Sequence, residues 1–306
     1  MRTKIIIPVE KPYVFTSTLR SHGWVSLLPN IPDESVESFS RAERLSSGRV
    51  INLFIASSEA AHPEIFVTVK HDGKLPPGLQ NEIKNRVAYM LRLNENLQGF
   101  YDLCSRKGNK WKNLTEGKGY LLRSSGVFED LVKVICTTNI QWGGTKRMAK
   151  ELVDSFGSPF PGDLSLRSFP APESISAVSL KEFKNRVRLG YRADYVYELS
   201  ARISNGELKL NDLLDTSTPT TEIKRQLLAI KGVGNYAAAS MLMLLGRYDQ
   251  IPVDTVFRQF IKEKYFKDKQ FSEEEGLRIY EEWGQWKYLA YWNEMLAFYY
   301  PKAEIE

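Results

Sequence analysis

Four clusters of residues in this 306-residue chain could do chemistry. Asp254 stands directly before Thr255-Val256-Phe257, where a helix is expected to begin. A carboxylate at that position is held rigidly by the first-turn N–H groups, stays ionised, and can steady a developing positive charge while orienting or deprotonating a water. Gly232-Val233-Gly234-Asn235 lies about twenty residues upstream and opens another expected helix. Its outward backbone N–H groups sit at the positive end of a helix dipole and form an anion site into which a phosphate fits. Tyr236 follows that turn, an aromatic where its neighbours are small or apolar. Asn139-Ile140-Gln141-Trp142 forms a short polar and aromatic break between two amphipathic stretches, and its asparagine can both donate and accept.

Each cluster also has a plainer explanation. Asp254 is a good helix cap in its own right, the glycines suit any tight helical hairpin, Asn139 is a reasonable cap, and Tyr236 can simply pack. What must position these residues is a hairpin of two helices. Thr220 or Thr221, behind Pro219, is expected to cap the first, with Ile223, Leu227, Leu228 and Ile230 as its apolar stripe. Both glycines of the turn are expected to supply positive φ or close backbone approach. The second helix runs from Asn235 to about Leu245, and residues 246–254 form a loop that ends on Asp254.

The hairpin pattern, followed after twenty residues by Ile251-Pro252-Val253-Asp254-Thr255, resembles the helix-hairpin-helix (HhH-GPD) DNA glycosylase superfamily. Asn139-Ile140-Gln141 and Leu189-Gly190-Tyr191-Arg192-Ala193-Asp194-Tyr195 extend the likeness toward its 3-methyladenine and 8-oxoguanine glycosylases. The resemblance implies an N-glycosidic hydrolase that flips a damaged base from duplex DNA. It assigns catalysis to Asp254, strand invasion to Asn139 and Ile140, and phosphate binding to the backbone of Gly232, Val233, Gly234 and Asn235. It places Tyr236, Trp142 and Trp24 at the base pocket, with His22 beside Trp24. A structural monovalent cation held by the carbonyls of Leu228, Ile230 and Val233 is also implied; no other cofactor is required. Bifunctional relatives carry a lysine where this chain has Tyr236, so the resemblance points to an enzyme without lyase activity, and an aromatic there favours alkylated, cationic purines. An oxidised-purine glycosylase and a non-catalytic DNA-binding protein remain the alternatives.

Composition bounds the rest. A net charge of +5 and pI near 8.9 permit a nucleic-acid footprint without requiring one. Two cysteines, Cys104 and Cys136, cannot ligate a four-cysteine iron-sulfur cluster. No run is long and apolar enough for a membrane span, so the expectation is an intracellular monomer, cytoplasmic at the nucleoid if bacterial and nuclear if eukaryotic. The fold class expected is α+β, with an N-terminal antiparallel sheet subdomain over 1–110 and an all-helical glycosylase domain over 111–306. Ile5–Ile7, Val50–Ile55 and Ile65–Val69 read as strands, Pro77 to Tyr101 as one helix, residues 156–176 as a surface connection, and Ser124 or Ser125 as a helix cap.

Overall fold

The computed structural model describes residues 1–58, 63–115, 117–267 and 269–300. Its tertiary contacts divide the chain into two compact units, Met1–Leu210 and Asn211–Glu306. The strands of the large sheet end at Lys70 and helices begin at Pro77, ahead of the boundary expected near residue 110, whereas the contacts divide the chain at Leu210.

The first unit contains helix α1 (Phe15–Leu19) and strands β1 (Arg2–Pro8), β2 (Asn30–Asp33), β3 (Ser38–Arg44), β4 (Val50–Ser57) and β5 (Glu64–Lys70). These strands form one antiparallel sheet in the order β1-β5-β4-β3-β2, with Ile5 opposite Val67 and Leu53 opposite Val69. Alternation places Ile65, Val67 and Val69 inside and Phe66 outside, the pattern of a sheet with one covered face. Helices α2 (Pro77–Met90), α3 (Gln98–Lys107), α4 (Val127–Thr137), α5 (Trp142–Phe156), α6 (Pro172–Ser176), α7 (Leu180–Arg186) and α8 (Arg192–Ser204) follow. Between α5 and α6, in the stretch expected to be a plain connection, strands β6 (Pro159–Phe160) and β7 (Asp163–Arg167) form a small hairpin. Phe160 and Leu166 of this hairpin pack on Ala42 and Val50 of the sheet.

Two sequence expectations change here, each because a longer-range partner wins. The helix expected over Pro77 to Tyr101 stops at Met90. Arg92 adopts φ +57°, its N–H bonds Tyr89 O and the Leu93 N–H bonds Ala88 O, a Schellman ending built without glycine. Its guanidinium is buried against the Leu121 carbonyl and Glu95, and those contacts hold the strained backbone. Helix α4 is capped by neither serine; Gly126 takes the N-cap position, Ser124 N donates to Asp130 and the Ser125 hydroxyl to Glu43. That serine belongs to a buried ionic cluster: Arg41 on β3 meets Glu43 at 2.7 Å and Glu129 on α4 at 2.8 Å, and Lys133 meets Glu129 at 2.6 Å.

The second unit holds α9 (Thr220–Leu228), α10 (Asn235–Leu244), α11 (Thr255–Tyr265), α12 (Glu273–Arg278) and α13 (Lys287–Tyr299). Pro219, not Thr220 or Thr221, is the N-cap of α9, and the Thr220 hydroxyl instead accepts from Arg247 Nη1 at 3.3 Å. Helix α10 is apolar all round and buried from Ala237 to Leu244. It ends on Gly246, φ +84°, with Gly246 N bonding Met243 O and Arg247 N bonding Leu242 O, so the chain turns sharply into the loop toward Asp254. No helix among the described residues is long and apolar enough to cross a membrane.

Candidate functional site

Asp254 caps α11. Its Oδ1 accepts the Phe257 N–H at 2.8 Å, so the carboxylate cannot rotate away. Burial raises its pKa; the N–H groups of Phe257 and Val256 and the charge of Arg258 pull the other way and do not cancel it. A half-buried carboxylate with that balance is a stronger base than a solvated one, and still anchored.

Helix α13 supplies what surrounds it. Tyr288 and Tyr291 are both buried, and their phenols are pushed up by burial first and then by neighbours that include Tyr236 and Asp254. Tyr288 stacks on Trp292 with ring centroids 5.8 Å apart, and its backbone N–H donates to the Tyr248 carbonyl at 2.8 Å. Tyr248 in turn stacks on Trp286 at 6.0 Å. Asp254 therefore sits at the edge of an aromatic group drawn from α10, α13 and the loop between α10 and α11. The sequence singles out Tyr236, and among the C-terminal aromatics Trp283, Trp286, Trp292 and Phe298 read as mostly core with one covering the pocket, whereas Tyr288 and Tyr291 carry no signal of their own. Their spacing of three and four residues, Tyr288, Tyr291 and Trp292, is the helical repeat that puts them on one side.

The hairpin turn follows the expected path with one difference. Gly232 has φ +88°, a region that disfavours any other residue. Gly234 has φ −91° and ψ −174°, ordinary extended backbone, and a Cβ there would meet nothing within 4 Å. Among the described residues nothing crowds position 234 or requires glycine there; open space beside an exposed helix N-terminus does suit a close external approach. Val233 is buried beneath the turn, and its N–H donates to the Ile230 carbonyl at 3.0 Å. Ile230 itself is buried while Leu228 is 42% exposed.

In the first unit, Asn139 and Ile140 lie between α4 and α5 as expected. Asn139 is exposed with φ +47°, and its amide Nδ2 donates to the Tyr191 hydroxyl at 3.4 Å. Ile140 is half-buried over Gly144, where any Cβ would collide with it. Trp142 is 38% exposed, and its ring covers Gly23, where a Cβ would lie 3.0 Å away. Trp24 is different from the expectation. It is 5% exposed, with its indole N–H donating to Asp130 at 2.9 Å, which makes it a core residue with a satisfied polar atom. His22 is also inward: Nε2 meets the Leu122 carbonyl at 2.6 Å and burial pushes its pKa down to about 4, so the ring is neutral at pH 7.

A family model described as HhH-GPD superfamily base excision DNA repair protein matches residues 132–285, half of the chain. The chain belongs to that superfamily. This HhH-GPD protein is 23% identical over 289 residues to a Bacillus subtilis protein named provisionally as a DNA-3-methyladenine glycosylase, covering 93% of this chain and 95% of that one. It is also 23% identical over 199 residues to an N-glycosylase/DNA lyase of Saccharomyces cerevisiae, a match that takes in 61% of this chain but only about half, 53%, of the yeast protein. Among solved structures, the 3-methyladenine DNA-glycosylase from Archaeoglobus fulgidus superposes with a TM-score of 0.73 at 19% identity, over 97% of this chain and 99% of that one. The fold is thus that of a base excision DNA glycosylase, with the five-stranded sheet followed by helices. Among the described residues, no group of three or more histidines, cysteines and acids is placed to hold a metal.

Proposed function

We propose that this HhH-GPD protein is a monofunctional DNA glycosylase that removes an alkylated purine from duplex DNA and leaves an abasic site. The observation that carries this reading is Asp254: a carboxylate locked by the α11 N-terminus, kept basic by burial, and bordered by Tyr236, Tyr288 and Tyr291. Departure of the base from deoxyribose develops positive charge on the sugar; the carboxylate offsets it and takes a proton from the attacking water. Cationic purines such as 7-methylguanine are already good leaving groups, so an electron-rich ring that attracts their charge does the selecting, and no strong general acid is needed. Tyr236 stands where the resemblance would place a Schiff-base lysine, and a phenol cannot form that adduct. In this reading the hairpin N–H groups of Gly232, Gly234 and Asn235 take a phosphate, that of Val233 being spent on the Ile230 carbonyl, with a monovalent cation on the carbonyls of Leu228, Ile230 and Val233 completing the contact, and Asn139 and Ile140 enter the stack as the nucleotide leaves.

The test is single-turnover excision from duplexes carrying 7-methylguanine, 1,N6-ethenoadenine, 8-oxoguanine or uracil, each with and without alkali, beside Asp254→Asn. Cleavage that needs alkali and disappears in the variant is expected, fastest on 7-methylguanine. The yeast relative's name couples glycosylase with lyase. Strand cleavage without alkali would therefore sink the monofunctional half of the proposal, and preference for 8-oxoguanine the alkylated half. Tight duplex binding with no release from any substrate would mean a binding protein.

A further inference from the structure

We propose that Arg192 is a positioning residue for the strand-invading loop, holding Asn139 in the backbone conformation from which its side chain projects. The inference rests on the reading of Asn139 as the residue that enters the duplex.

Helix α4 ends at Thr137, so the carbonyls that follow have no partner within the helix. The Arg192 guanidinium takes that place from the start of α8. Its Nη2 donates to the Thr138 carbonyl and, at 3.4 Å, to the Asn139 carbonyl; its Nε donates to the Thr138 hydroxyl at 3.3 Å and its Nη1 to the Leu189 carbonyl at 3.5 Å. A planar fork with five donors can serve several carbonyls in one plane, as a lysine ammonium cannot. Its charge is also favourably placed at the C-terminus of a helix. Arg192 is only 6% exposed, with its guanidinium turned onto the loop carbonyls.

What the arginine contacts is a loop in a left-handed conformation. Asn139 has φ +47°, in the left-handed region that asparagine visits more readily than other non-glycine residues but still at some cost. Asn139 is nevertheless exposed, its amide donating to the Tyr191 hydroxyl at 3.4 Å, and the guanidinium lies 4.5 Å from the centroid of that tyrosine's ring. On the other side Ile140 is seated on Gly144. A buried charge on one flank and an apolar anchor on the other leave one amide standing out from the surface.

The experiment compares wild type, Arg192→Met, Arg192→Lys, Asn139→Ala and the Arg192→Met/Asn139→Ala double variant, each with its melting temperature recorded. Excision of one lesion is measured opposite its normal partner and opposite a tetrahydrofuran abasic analogue, where removing the nucleotide from the stack is cheap. We expect Arg192→Met to be about tenfold slower on the paired duplex yet close to wild type opposite the analogue. Arg192→Lys should be intermediate, and Asn139→Ala should add less than about twofold on top of Arg192→Met. Equal slowing on both duplexes, additive losses in the double variant, or no loss at all would overturn the proposal. If Arg192→Met fails to fold, the lysine variant carries the same comparison. A second readout does not depend on catalysis: 2-aminopurine placed as the opposite base should brighten on binding of wild type and less on binding of the variant. Were wild type to release no base, the glycosylase reading would fall, while equal brightening by wild type and variant would separately overturn the role of Arg192.

Discussion

Asparagine at position 254 separates the two duties of the carboxylate. Asparagine caps helices about as well as aspartate, so Asp254→Asn should leave thermal stability within about 0.5 kcal/mol of wild type. Loss of the base should slow excision by roughly 10²- to 10⁴-fold. A variant that lost both together would mean that the carboxylate is a cap and nothing more. The raised pKa of Asp254 adds a pH signature. The native state holds this proton more tightly than the unfolded chain does, so the ionised carboxylate costs a little stability as pH rises through that window, and Asp254→Asn relieves the cost. Activity runs the opposite way: excision of a neutral lesion such as 1,N6-ethenoadenine should fall on the acid side, with a midpoint above the ordinary aspartate value of about 3.9. Tyr236 is tested by charge in the substrate. Tyr236→Leu should reduce excision of 7-methylguanine about tenfold more than that of a neutral lesion, the size of a partly desolvated cation–π contact.

At the scale of the element, the hairpin makes two glycines distinguishable. Gly232 sits at φ +88°, so Gly232→Ala should lower stability by about 1 kcal/mol or more, read as a drop in melting temperature. Gly234 is extended with open space around it, so Gly234→Ala should fold as wild type and show its effect only in binding, as weaker duplex affinity and a shallower salt dependence. Identical behaviour of the two variants in both measurements would leave the turn no special role toward phosphate. These elements were legible in the sequence where a local signal fixed them. Asp254 before a hydrophobic turn announced the start of α11, and the Gly-Val-Gly break announced the hairpin. The end of α2 was not legible, because Arg92 takes a left-handed conformation without being glycine, held by groups that lie beyond its own helix. The caps of α4 and α9 were misplaced for the same reason: Ser125 and Thr220 spend their hydroxyls on Glu43 and Arg247, residues far away in sequence.

Over the whole molecule, the sequence revealed strands wherever apolar runs were continuous, and missed β2 and β3. Strand β3 carries Arg41 and Glu43 toward the interior, and charged residues in a strand read as surface until their partners are known. Those partners arrive 88 residues later on α4, when Glu129 receives both Arg41 and Lys133. Burial alone would raise the Glu129 pKa, but the two cations and their hydrogen bonds outweigh it and bring it to about 2. Such a cluster stabilises only while complete: removing one partner strands the opposite charge in a region it cannot leave, at a cost of about 3–5 kcal/mol. Glu129→Ala should therefore destabilise the protein by that amount at pH 7, measured by urea unfolding, and the loss should be larger than for Arg20→Ala, whose pair with Glu37 is exposed. The sign with pH follows from the depressed pKa. The stabilisation is complete above the ordinary glutamate value near 4.5 and is lost as pH falls from there toward about 2. Wild type should accordingly lose stability steeply across that interval, and Glu129→Ala, which has already lost it, should show a flatter acid limb. Parallel acid limbs in the two proteins would mean that the carboxylate titrates as a solvated group, and the cluster would then contribute nothing to holding α4 on the sheet.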